Sequence, residues 1–170
     1  MGNNKIKYSI WFLTLILLQV LIVQNIHLGH YIILFPYILY IIILPYQTQK
    51  ISLLIISFFI GLIIDMFYDT AGIHAAACTL VGFSRPSIIK LLNSRDDNNL
   101  ESSPSIKNMG ILQFVSYCFI LIFIHHLVVF YLEIFRLNEF FTTLLRVFLS
   151  SVGTFGLIYT IQFLFNNSKV

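Results

Sequence analysis

Continuous apolar runs follow one another through this chain, from LTLILLQVLIV near its start, through LYIIILP and FFIGLII, to FLSSVGTFGLIYTIQFLF near its end. A backbone in hydrocarbon has no water to bond, so only helices or closed barrels satisfy it. Barrel strands would read as short segments of alternating polarity. These runs are continuous, and the expected fold class is all-α, a polytopic membrane protein. At about 20 residues per crossing, 170 residues hold six transmembrane helices and little else. Charged residues make up 10% of the chain, against about 25% in a soluble domain. Residues 1–170 are therefore expected to form a single integral membrane domain.

The six helices are expected at Tyr8–Gln24, Tyr31–Tyr46, Ile51–Tyr68, Ile73–Leu92, Met109–Leu132 and Phe140–Phe165. Lys5 and Lys7 followed by an apolar stretch resemble a secretory signal, but QNIHLGHY offers no small-residue cleavage site, so the first helix is expected to be retained. The second carries Pro36 near its start and is closed by Pro45, which has no N–H to continue it. Between the fourth and fifth, residues 93–108 form a polar segment rich in Asn and Ser, expected to be a mobile cytoplasmic linker. Cys78 and Cys118 lie inside apolar runs and are expected to be free, buried thiols.

Basic residues report orientation in such a chain, so the net charge of +3 is no nucleic-acid footprint. With alternating loops, Lys5, Lys7, Lys50, Arg85, Lys90, Arg95, Lys107 and Lys169 gather on one side and Arg136 on the other, with Arg146 inside the membrane. The positive-inside rule then makes both termini cytoplasmic.

Asp65 is the costly residue. A carboxylate in hydrocarbon is expected to face the bundle interior and find a partner. Ser57, Gly61 and Asp65 share one helical face, whose small residues let another helix approach. Arg146, Ser150 and Thr154 share a face of the last helix, with Gly153 beside them, at similar depth. One reading pairs Asp65 with Arg146 and packs the third helix on the sixth. A second has Asp65 reach the interface while Arg146 snorkels, and a third gives the charges to a partner protein.

Asp69 and Gly72 read as a turn before the fourth helix. The alternative is a magnesium site, with Asp65 and Asp69 on one helical face, but no second acidic motif accompanies it. His27, His30, His74, His125 and His126 fall in the outer half and are expected at the interface. His27 and His30 have a spacing that could ligate a metal. Glycine-rich phosphate loops and the motifs H-E-x-x-H and G-x-S-x-G are absent, so no enzyme activity, cofactor or metal is assigned.

FPYILYIIILP at 35–45 and SFFIGLIIDMFYDTAGIHAAACTLVGF at 57–83 resemble the rod shape-determining MreD family, in its Bacteroidetes version. The resemblance rests on an ordered series: Pro36, Pro45, Gly61, Asp65 and Gly72. It implies a non-enzymatic component of the bacterial inner membrane, serving peptidoglycan synthesis and cell shape in the elongation machinery. Its implied partners are MreC, through that protein's membrane helix, and indirectly MreB, RodA and a class B penicillin-binding transpeptidase. It also implies a bundle similar to the S components of energy-coupling vitamin transporters. That makes a vitamin-binding S component the alternative function, although the first helix, WFLTLILLQVLIVQ, lacks the spaced alanines that such proteins use for docking. A reporter fused after Val170 should be active in the cytoplasm; activity restricted to the far side would overturn the orientation.

Overall fold

A computed structural model describes residues 2–26, 28–29, 31–92, 103–134 and 139–166. Helix α1 (Gly2–Leu17) continues through a π-helical turn at Leu18–Ile22 and a 3-10 turn at Val23–Asn25. A 3-10 turn at Pro36–Ile38 leads into the short α2 (Leu39–Ile43). Then come α3 (Lys50–Tyr68), α4 (Ile73–Leu92), the one-turn α5 (Ile106–Met109), α6 (Ile111–Ile134) and α7 (Phe140–Asn166). Among the described residues, five helical stretches are long and apolar enough to cross a membrane: Tyr8–Asn25, Lys50–Tyr68, Ile73–Leu92, Ile111–Ile134 and Phe140–Gln162.

The expected helix at Tyr31–Tyr46 is the main departure. Only its middle is helical, because both prolines act on the residue before them. Phe35 is held at φ −127° and ψ 66°, and Leu44 at φ −55° and ψ 147°, outside the helical region in each case. The prolines therefore confine helix to the eight residues that start at Pro36, and 31–35 has no helical hydrogen bonds of its own. Tyr37, Ile38, Leu39, Ile41 and Ile42 are nonetheless completely buried. The segment threads the middle of the bundle.

α3 and α4 form a tight hairpin, α4 packs on α6, and α6 on α7. The turn between α3 and α4 follows its sequence: Asp69 ends α3 in the left-handed region at φ 52°, and Gly72 supplies φ 85° just before α4. The face bearing Ser57, Gly61 and Asp65 turns to α4, not to α7. A Cβ at Gly61 would overlap the backbone of His74 and Ala75, and one at Gly82 would strike the Ser57 side chain. The reading that packed the third helix on the sixth is thus corrected. Gly153 of α7 instead receives Leu34 and Ile32 of the threaded segment, whose side chains would meet a Cβ there at 2.9 and 3.4 Å.

Of the polar segment 93–108, residues 93–102 lie outside the described part. The remainder is not a loose linker. Ser105 caps α5 by accepting from the Asn108 N–H at 3.3 Å, Asn108 Nδ2 donates to the Ser103 carbonyl at 2.8 Å, and the Ser103 hydroxyl meets that of Tyr8 at 3.4 Å.

Gly61→Leu should destabilise the protein by about 3 kcal/mol, since it overpacks a backbone contact that cannot yield. Gly156→Ala should be neutral or stabilising by up to about 1 kcal/mol, since open space surrounds that position. Thermal unfolding of both variants in detergent measures the contrast.

Candidate functional site

The carboxylate of Asp65 is 3% exposed and lies against the start of α4. Its Oδ1 accepts from the His74 N–H at 2.9 Å and from the Thr70 hydroxyl; its Oδ2 accepts from the Ala75 N–H at 2.9 Å. The first turn of a helix carries N–H groups with no partner in the helix, and a carboxylate there also meets the positive end of its dipole. Asp65 does for α4 what an N-cap residue does, but from the preceding helix. The expected Asp65–Arg146 ion pair is therefore corrected. The Arg146 guanidinium carbon lies 4.9 Å from the centre of the Phe130 ring, and its Nε is buried without a hydrogen-bond partner.

Ser150 and Thr154, singled out beside Gly153 as companions of Arg146, serve the threaded segment. Ser150 Oγ accepts from the Ile33 N–H at 3.0 Å and donates to the Tyr31 carbonyl at 3.1 Å. Thr154 Oγ1 accepts from the Phe35 N–H at 3.1 Å. From α1's π-helical turn, Gln19 Nε2 donates to the Leu34 carbonyl at 3.2 Å and to the Tyr68 hydroxyl at 2.6 Å. Side chains of α1 and α7 thus supply the partners that an unwound backbone lacks.

The histidines at 74, 125 and 126 are in the core rather than at an interface, with 2%, 0% and 0% exposure. The Tyr37 hydroxyl bridges His74 Nδ1 at 2.8 Å and His125 Nε2 at 2.7 Å. His126 Nδ1 donates to the Ile122 carbonyl at 2.9 Å, which leaves Nε2 to accept from the Thr154 hydroxyl at 3.1 Å. That assigns a neutral tautomer and orders one chain of bonds, from the Phe35 N–H through Thr154 to His126. The Phe35 ring packs against His74, His125 and His126 at centroid distances of 5.0, 5.5 and 5.2 Å. His27 and His30 lie outside the described residues.

The residue that sequence reasoning missed is Arg85. It was counted as a loop base, yet it is 1% exposed. Its Nε donates to the Tyr117 hydroxyl at 2.9 Å, and its Nη2 donates to the Leu44 carbonyl. Tyr117 in turn donates to the Ile42 carbonyl at 3.0 Å. Ile42 and Leu44 belong to the end of α2, where carbonyls have no helical partner and the dipole is negative. Arg85 and Tyr117 satisfy both needs. The signal was present: Cys78, Val81, Gly82 and Arg85 recur at helical spacing and are all buried. Without Arg85, seven of the eight bases expected on one side remain.

Among the described residues no group of three His, Cys, Asp or Glu side chains could hold a metal ion. The magnesium reading also fails locally, because both oxygens of Asp65 already serve the α4 cap. Cys78 and Cys118 are free and buried, as expected.

Comparison with protein-family models, with curated proteins and with solved structures finds no match to this chain.

Asp65→Leu should cost about 2 kcal/mol or more, since it strands two buried N–H groups and a hydroxyl. Asp65→Asn, which keeps one acceptor oxygen, should cost less. In a double-mutant cycle with Arg146→Gln, the two positions should be additive within about 0.5 kcal/mol. A coupling well above that, read from unfolding in detergent, would restore the ion pair.

Proposed function

We propose that this protein is a non-enzymatic membrane scaffold of the bacterial cell-wall elongation complex, an MreD-like bundle that binds the membrane helix of MreC. The observation that carries the reading is that each residue of the ordered series has a structural task. Pro36 opens the turn before α2, and Pro45 closes the segment. Gly61 admits α4, Asp65 caps it, and Gly72 turns the chain into it. A set of residues spent on building a rigid bundle suits a scaffold.

The filled interior supports the same conclusion over the S-component alternative. A vitamin pocket needs a concavity lined by several free polar groups. Here the bundle's middle is taken up by the completely buried side chains of Tyr37, Ile38, Leu39, Ile41 and Ile42.

We read the threaded segment as a sixth crossing. Gln24 Nε2 donates to the Phe67 carbonyl at 3.1 Å, which places the end of the first span beside the end of α3. Lys50 starts α3 at its other end. The chain between them must therefore travel the length of α3, about 28 Å at 1.5 Å per residue. Six crossings put both termini on one side, and the excess of bases there makes that side cytoplasmic. The protein then belongs to the inner membrane and works beside MreB, RodA and a class B penicillin-binding transpeptidase, with no cofactor.

Gly61 is spent inside the α3–α4 contact, so it is not the surface offered to MreC. An apolar groove of about 620 Å³ runs outside that contact, between Leu54, Phe58 and Leu62 of α3 and Ala76, Thr79 and Phe83 of α4. Lipid removes the ordinary hydrophobic drive between helices, and close approach at small side chains replaces it. Ala76 and Thr79 provide such a floor.

Ala76→Trp should abolish co-purification with MreC at normal expression of the variant, and depletion of the protein should round rod-shaped cells. Undiminished co-purification would remove the groove from the account, and intact rods after depletion would remove the function.

A further inference from the structure

We infer that the groove between α3 and α4 takes a partner membrane helix that carries an arginine or lysine at the Asp69 end, paired there with the Asp69 carboxylate. This rests on the reading of that groove as the surface for MreC, and it adds the charge that the partner must bring.

The register places the acid in line with the groove. Leu54, Phe58 and Leu62 line it from α3. They are four apart and so form one ridge. Asp69 follows Leu62 by seven residues, two turns along the same flank and about 10 Å farther on. Gly72, three residues beyond Asp69, lines the groove itself. Asp69 is exposed, whereas Asp65 one turn before it is buried in the α4 cap. Two exposed bases stand at the other end: Lys50, four residues before Leu54 on the same ridge, and Lys90, seven residues after Phe83 on α4. The groove is thus apolar along its length, acidic at one end and basic at the other.

The bilayer answers these two ends differently. Lipid phosphates attract the lysines. They repel Asp69, so its counter-charge must come from another source. A helix lying in the groove brings one within reach, because arginine and lysine stems extend from a membrane span toward its surface. The same charges act against wrong partners. Membrane helices are commonly flanked by bases on the cytoplasmic side. Set in this groove, such a helix brings its bases to Lys50 and Lys90, where like charges oppose docking. An exposed ion pair adds little affinity. The Asp69 pair therefore selects and orients the partner, while close packing on Ala76 supplies most of the binding.

Titration of fluorescently labelled, full-length MreC onto the full chain in a non-ionic detergent tests this. Asp69→Asn keeps the left-handed turn at φ 52°, which asparagine accepts. It should weaken binding about threefold to fivefold. Raising the salt concentration should weaken the wild type by a similar factor and leave Asp69→Asn unchanged. Asp69→Lys should weaken binding further, and changing one MreC base near the Asp69 end to glutamate should restore it. Unchanged affinity in Asp69→Asn, with binding abolished by Ala76→Trp, would overturn the pair and leave the groove as the MreC surface. Unchanged affinity in both variants would remove the groove reading and the pair with it. Failure of every such charge reversal in MreC to restore Asp69→Lys would also overturn the proposal, in favour of a lipid amine.

Discussion

A peptide group stripped of water in hydrocarbon must find its hydrogen bonds inside the protein. The whole structure depends on how that demand is met at residues 31–45, where two prolines forbid a continuous helix. Ser150, Thr154 and Gln19 take the backbone at one end of the segment, and Arg85 with Tyr117 takes the carbonyls at the other. The bundle is therefore not a set of helices that happen to pack. It is a sheath of four helices and α1 whose inward polar groups answer one unwound strand of chain.

The same economy explains the charges. Asp65 and Arg85 are both buried, and neither meets an opposite charge among the described residues. Each lies at a helix terminus where backbone groups of the complementary polarity stand free. Charge-assisted hydrogen bonds of this kind are stronger than neutral ones, and they fix direction as well as position. Asp65 locks α4 to the end of α3, while Arg85 locks α2 to α4. Between these two ends, Phe35 and Tyr37 sit among three buried imidazoles, which tie α4, α6 and α7 to the threaded segment.

Much of this was legible in the residues. The bounds of α4 came directly from its apolar run and the Asp69–Gly72 turn, and those of α3 and α7 fell within a residue. The face of Ser57, Gly61 and Asp65 was recognised, as was that of Arg146, Ser150 and Thr154 with Gly153 beside it. The partners were not. Hydrophobic periodicity states which face is small or polar, but not which neighbour lies opposite, and a pair of opposite charges at one depth was the simplest guess. Backbone groups were the true partners of Asp65, and they leave no mark in a sequence. Helix at 31–46 failed for a local reason: an apolar run of the right length outweighed Pro36 and Pro45, whose effect reaches the preceding residue. Arg85 was counted with the bases around the loop after α4 because the sequence does not show that the carbonyls at the end of α2 lie opposite it.

The central claim is that side chains, not helical bonds, hold the backbone of the threaded segment. Amide hydrogen exchange of the protein in lipid nanodiscs, resolved at Ile33 and Phe35, tests it most directly. In the wild type both amides should exchange slowly, and Thr154→Val should speed Phe35 by at least tenfold while amides in the middle of α3 keep their protection. Phe35 protection that survives the loss of the Thr154 hydroxyl would contradict the account, because a helical bond along 31–46 would then be doing the work assigned to α7.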